Sequence, residues 1–182
     1  MSPVPASPVP VFLWVGRLDA PKQPERFVEA CALVARHTPV RGVMLGDGPL
    51  SASVRSRVAE LGAPVDLLGT VADVAGQLAA ARALCLFSDF EGVPFAVQEA
   101  MWVGRPVVLS PLPSLSWFAG GASRYARDVN EAAAAMLALT DTTVATREGA
   151  VAAERIRSLL TADAPFPQLL ADYCEAGAST DR

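Results

Sequence analysis

Short apolar runs alternate with stretches of helical periodicity along most of this chain, and that alternation restricts the fold more than any other feature. The runs Val11-Phe-Leu-Trp-Val15, Arg41-Gly-Val-Met-Leu45, Val65-Asp-Leu-Leu68, Ala83-Leu-Cys-Leu-Phe87 and Val107-Val-Leu109 have strand length and are largely continuous in apolar character. A strand exposed on one side would alternate apolar and polar residues; continuous runs belong to a sheet covered on both faces. Between them, Phe27, Cys31, Val34 and Ala35 recur at helical spacing in a segment that begins near Pro24 and ends at His37-Thr38-Pro39. Leu50, Val54, Val58 and Leu61 mark a second helix, stopped by Gly62, and a third covers about Asp73 to Arg82. A fourth starts at Pro94 and continues toward Gly104. The expected fold is α/β, a doubly wound, Rossmann-like parallel sheet.

Beyond Ser110 the pattern loosens. Pro111 and Pro113 argue against regular structure, and Trp117-Phe118 beside Gly120-Gly121 read as a folded loop. Ser123–Ala126 is a candidate last strand, and helices are expected over about 130–139, 144–160 and 166–175. The expected organisation is a flexible lead-in over residues 1–9, one domain over 10–176 and a flexible tail over 177–182.

Composition narrows the function. The 182 residues are 52% hydrophobic with a net charge of −4, which suits one domain with a full core and gives no reason to expect nucleic acid as a partner. No apolar run reaches membrane-span length, and the first residues lack the basic start and apolar core of a signal peptide. Cys31, Cys85 and Cys174 are odd in number and lie among apolar neighbours, the usage of reduced core thiols in a cytoplasmic protein. Lys22 is the single lysine; the other fourteen cations are arginines.

Several chemistries are excluded by what is missing. The first strand exits as Gly16-Arg17-Leu18-Asp19, not as the G-x-G-x-x-G dinucleotide turn, and no Walker A sequence occurs. One histidine, His37, and scattered cysteines supply too few ligands for a zinc site of the usual kind. No G-x-S-x-G elbow accompanies that histidine.

In an open parallel sheet, ligands bind where strands run into helix N-termini. Four exits carry small or functional residues: Gly16-Arg17, Gly46-Asp47-Gly48, Gly69-Thr70-Val71, and the turn Ser88–Pro94 containing Glu91. All belong on one edge of the sheet. Glycines allow close backbone approach to a ligand, Arg17 offers a planar fork for two phosphate oxygens, and Lys22 adds a point charge. The helix opening near Pro94 presents free N–H groups and a positive dipole end to the same region. Taken singly, each feature reads as an ordinary turn or surface charge; Glu91 would offset a helix dipole and Glu99 would be a solvated helix residue. Their convergence favours an anionic ligand.

These residues fall in an order that resembles the C-terminal, nucleotide-sugar-binding domain of GT-B glycosyltransferases of family 4, the retaining group 1 transferases. The shared landmarks are Val15-Gly-Arg-Leu18 with Lys22, Leu45-Gly-Asp-Gly-Pro49, Leu68-Gly-Thr-Val71, Ser88-x-x-Glu-Gly92, the E-x7-E pair Glu91 and Glu99, and Gly104-x-Pro-Val-Val108. The resemblance implies a single GT-B half that binds a nucleotide-diphosphate sugar, needs no metal or other cofactor, and transfers a hexosyl group only with an acceptor-binding N-terminal domain. It implies that Arg17 and Lys22 hold the diphosphate, with Gly16 beside them. Glu91 would contact sugar hydroxyls, with Gly92, Val93, Pro94 and Phe95 along sugar and phosphate. Glu99 would accept from the ribose, and Gly69 and Val71 would flank the base. Departures from the family pattern are Gln23-Pro24 after the lysine and Pro94 in the sugar-facing loop. The full enzyme would be cytoplasmic, with room for peripheral membrane association. The alternative is a non-catalytic Rossmann-like domain that uses this edge to dock a protein, for which exposed Trp117-Phe118 and a Glu91 turn filled by its own side chains would speak.

Overall fold

The computed structural model describes residues 9–92 and 94–160. Six strands, β1 (Val11–Val15), β2 (Arg41–Leu45), β3 (Val65–Gly69), β4 (Ala83–Leu86), β5 (Val107–Leu109) and β6 (Arg124–Tyr125), form one sheet in the order β3-β2-β1-β4-β5-β6. Every pairing is parallel, and β1 matches β2 residue for residue from Val11 against Arg41 to Val15 against Leu45. The doubly wound parallel sheet read from the alternation is the fold the chain adopts.

The helices are α1 (Pro24–Ala35), α2 (Ser51–Leu61), α3 (Val74–Ala80), α4 (Phe95–Trp102), α5 (Pro113–Ala119), α6 (Val129–Leu139) and α7 (Thr142–Leu159). Successive side chains of a strand point to opposite faces, and β1 shows why this one carries no polar alternation. Phe12 and Trp14 join a core with Phe27 and Cys31 of α1 and Met136 of α6. Leu13, between them, joins a second core with Leu78 of α3, Met101 of α4 and Ile156 of α7. Burying large apolar side chains at about 1.5–3 kcal/mol each is what holds β1 at the sheet's centre.

Local signals start and stop these helices. Asp73, Asp128 and Asp141 cap α3, α6 and α7 by accepting from backbone N–H groups in the first turn. Gly62 ends α2 in the left-handed conformation.

One expectation is corrected. The proline-bearing stretch after Ser110 is not a loop: it contains α5, followed by a short 3-10 turn over Gly120–Ala122. Pro113 sits in the first helical turn, where the missing N–H has no helical partner to lose, so it starts this helix instead of forbidding it. Similarly, α4 starts at Phe95 with Pro94 as its N-cap and stops at Trp102, short of Gly104. The expected helix over 166–175, the tail over 177–182, Cys174 and all of the lead-in except Val9 lie outside the described residues. Cys31 and Cys85 are free and buried.

Strand order explains where a ligand could sit. α1, after β1, packs on one face, whereas α4, after β4, packs on the other. Because β1 and β4 are neighbours and their helices leave to opposite faces, the carboxyl edge between them is the switch point at which open α/β sheets bind ligands.

Candidate functional site

The loops after β1, β2, β3 and β4 do meet at this edge, and backbone hydrogen bonds lock them together. Gly16 N–H donates to the Leu45 carbonyl at 3.0 Å, Leu18 N–H to Asp47 at 3.0 Å, and Gly46 N–H to Gly69 at 2.8 Å. Asp89 N–H donates to the Pro21 carbonyl at 2.8 Å, tying the β4 exit to the β1 exit. Gly46 makes this closeness possible: it has φ +124°, and a Cβ there would lie 1.9 Å from the Gly16 carbonyl oxygen.

Glu91 is the buried acid of the site, its side chain only 5% exposed. Lys22 Nζ donates to Glu91 Oε1 at 2.6 Å, and Ser88 Oγ donates to the same oxygen at 2.6 Å. The turn is further held by Ser114 Oγ, from α5, donating to the Glu91 carbonyl at 2.7 Å. The partners of the Glu91 carboxylate are thus side chains of the β1 and β4 exits. Lys22 is not a solvated surface charge: it is 27% exposed and committed to Glu91.

Arg17 behaves differently. Its side chain is 71% exposed and its one ion-pair contact among the described residues is Asp19 at 3.5 Å. The structure thus brings Lys22 to Glu91 and leaves Arg17 extended at the rim. Glu99 is exposed in the second turn of α4, and Phe95 is exposed in the first turn. No side chain caps α4, and Pro94 has no N–H, so the opening N–H groups of Phe95 and Ala96 are unclaimed by a cap. Gly92 is exposed, Gly69 and Val71 are partly buried at the β3 exit, and Val93 lies outside the described residues.

Three residues of this edge carry roles that motif reading leaves unassigned. Ser88 orients Glu91, Ser114 holds its backbone, and Ser110, at the end of β5, is buried with a hydroxyl that has no partner among the described residues. Ser88 was legible as part of Ser88-x-x-Glu91; Ser114 was hidden by the prolines around α5. Of the two features that would favour protein docking, Trp117 is half-exposed but Phe118 is buried. The Glu91 turn is partly filled by Lys22 and Ser88. Among the described residues, no group of three or more His, Cys, Asp or Glu is placed to hold a metal ion.

Fold and edge together define a Rossmann-like α/β domain whose strand exits place Arg17, Lys22 and Glu91 at the carboxyl edge of the sheet. Residues 9–142 match the family described as "Glycosyl transferases group 1", and the chain belongs to that family. It is 36% identical over 94 residues to GalNAc-alpha-(1->4)-GalNAc-alpha-(1->3)-diNAcBac-PP-undecaprenol alpha-1,4-N-acetyl-D-galactosaminyltransferase of Campylobacter jejuni. That match covers 50% of this chain and 26% of the relative, so the chain aligns with about a quarter of that enzyme.

Solved structures agree on the fold. A TarM variant from S. aureus, in complex with Fondaparinux, alpha-GlcNAc-glycerol and UDP, superposes with a TM-score of 0.80 at 19% identity, covering 94% of this chain and 37% of TarM. The C-terminal domain of the group 1 glycosyl transferase LpcC from Francisella tularensis gives 0.74 at 14% identity, covering 85% of this chain and 89% of that domain. The fold is that of one half of a GT-B glycosyltransferase. No helix among the described residues is long and apolar enough to cross a membrane.

Proposed function

We propose that this chain is the donor half of a retaining, cytoplasmic hexosyltransferase, binding a nucleotide-diphosphate sugar in the crevice between the β1 and β4 exits. The observation that carries this reading is the buried Glu91 carboxylate, held by Lys22 and Ser88 on one oxygen, four residues before α4, whose start no side chain caps. Family membership and the likeness to a structure solved with UDP support it.

In this reading Glu91 accepts hydrogen bonds from donor-sugar hydroxyls through Oε2, since Lys22 and Ser88 both use Oε1. An ammonium has three N–H donors; Lys22 spends one on Glu91 and turns the others toward the diphosphate. Arg17 folds inward to grip the same group with its fork. Gly92, Val93 and Phe95 bring backbone N–H groups to sugar and phosphate, while Pro94 shapes the turn without donating. Glu99 accepts from the ribose, and Gly16, Gly69 and Val71 give the nucleotide close backbone contact.

Transfer breaks the bond between the anomeric carbon and the diphosphate oxygen and forms a bond from that carbon to the acceptor oxygen on the same face. The acceptor proton passes to the departing phosphate. Arg17, Lys22 and the α4 N-terminus stabilise the charge that develops there, the largest kind of contribution such groups make. The acceptor is held by another domain, and the chain alone transfers little or nothing. Calorimetric titration with UDP-, GDP- and ADP-sugars tests the reading. Saturable binding of one of them supports it, and absence of binding to all three refutes it.

A further inference from the structure

The opposite edge of the sheet, where strands begin, carries a second concentration of polar groups that plays no part in the crevice. A cavity of about 350 Å³ opens there, lined by Arg82, Arg105, Thr142 and Thr146 together with Pro10 and Gly104. Topology explains the meeting of the two arginines. Arg82 immediately precedes β4, Arg105 lies two residues before β5, and these strands are neighbours. Backbone bonds fix both: Arg82 N–H donates to the Val11 carbonyl at 2.6 Å and Arg105 N–H to Ala100 at 2.8 Å.

Two cations side by side need a reason. Neither is in an ion pair among the described residues, although nine such pairs occur elsewhere. One terminal nitrogen of Arg105 donates to the Ala79 carbonyl, closing the end of α3, but its Nε is buried without a partner among the described residues. A buried donor left without an acceptor is destabilising, the more so when charged. Burial, and then the charge of Arg82, push the Arg105 guanidinium below its usual value. Asp141 is the acid that feels Arg82, and its Oδ1 accepts from the N–H groups of Thr143 and Val144. Among the described residues, two guanidiniums thus face a single carboxylate charge.

We propose that this cavity binds a phosphate group, as the monoester of a small molecule, at a site separate from the sugar-nucleotide crevice. Guanidinium forks match phosphate oxygens in geometry, and a dianion balances two arginines. The Thr142 and Thr146 hydroxyls, on the first two turns of α7, supply neutral donors beside them. The volume lies at the lower end of small-ligand pockets, more than a bare phosphate fills, and the apolar lining around Pro10 accommodates a short carbon skeleton.

The test is titration of the whole chain with glycerol phosphate, inorganic phosphate and sodium chloride at matched ionic strength. Affinity is read by calorimetry and location by amide shifts of Gly104, Thr142 and Thr146. Glycerol phosphate is expected to bind saturably and tighter than inorganic phosphate, with chloride silent. Arg82→Gln, which removes no internal hydrogen bond, should weaken binding by about tenfold, the loss of one charged hydrogen bond. Arg105→Gln endangers the Ala79 contact, so Arg105→Lys is the second variant; it keeps the charge, removes the fork, and should also weaken binding. Arg17→Ala should leave it unchanged. Shifts no larger with phosphates than with chloride would overturn the proposal. So would affinity that survives both Arg82→Gln and Arg105→Lys, or binding lost in Arg17→Ala, which would place the phosphate at the other edge. Tighter binding of inorganic phosphate than of the ester would refute the monoester assignment.

Discussion

Lys22 and Glu91 are 69 residues apart in sequence and 2.6 Å apart in space, joined because β1 and β4 are neighbours in the sheet. The pair is asymmetric: the Lys22 side chain keeps 27% of its surface, whereas Glu91 keeps 5%. Removing Lys22 strands a buried carboxylate with one serine hydroxyl, but removing the charge of Glu91 frees a lysine that can reach water. Lys22→Ala should therefore cost about 2–4 kcal/mol of stability, and Glu91→Gln about 1 kcal/mol. Urea unfolding of both variants measures this, and equal costs would contradict the asymmetry.

Arg17 should show the reverse profile. Its exposed side chain has only a 3.5 Å contact with Asp19, so Arg17→Ala should leave the melting temperature unchanged. Diphosphate binding should weaken by about 1.5–3 kcal/mol, the scale of a charged hydrogen bond. Calorimetry with the nucleotide diphosphate decides it: unchanged affinity would remove Arg17 from the site.

Gly46 is expected to be the least replaceable residue of the edge. Alanine there meets an unfavourable φ of +124° and a carbonyl oxygen at 1.9 Å, two independent costs summing to more than about 3 kcal/mol. Gly62 makes the comparison fair. It has φ +57° with nothing within 4 Å of a Cβ, so Gly62→Ala should cost only the left-handed penalty of about 1–2 kcal/mol. Thermal melts of the two variants give the difference directly.

Acid should erode the helix caps. Val144 and then Thr143 N–H groups hold the Asp141 carboxyl below its usual range, as the Ser51 hydroxyl and then Gly48 N–H do for Asp47. A depressed folded value means the stabilisation is complete above the unfolded carboxylate value of ~3.9 and is lost as pH falls through the lower folded values. Asparagine caps a helix about as well but does not titrate. Asp141→Asn should therefore melt like the parent near neutrality and lose less stability between about pH 4 and 2; a parallel acid limb would contradict this.

The architecture was legible because its signals are local. Continuous apolar runs, helical stripes, Gly62 and the placement of glycines at strand exits all read directly, and parallel strands necessarily bring those exits to one edge. The Lys22–Glu91 bond was not legible, since both residues announced themselves separately and only strand order makes them partners. α5 escaped because proline has opposite meanings inside a helix and in its first turn, and position alone distinguishes them. The pairing of Arg82 with Arg105 was missed for the same reason as the salt bridge: each precedes a strand, and nothing in either neighbourhood reveals that β4 and β5 adjoin.

The hydrogen bonds that stitch Gly16 to Leu45, Gly46 to Gly69 and Asp89 to Pro21 make the strand exits one mechanical unit. For engineering, that unit is the smallest exchangeable part. Grafting a single loop from another transferase would tear the seam to its neighbour, whereas moving the β1, β2, β3 and β4 exits as a block leaves both cores untouched.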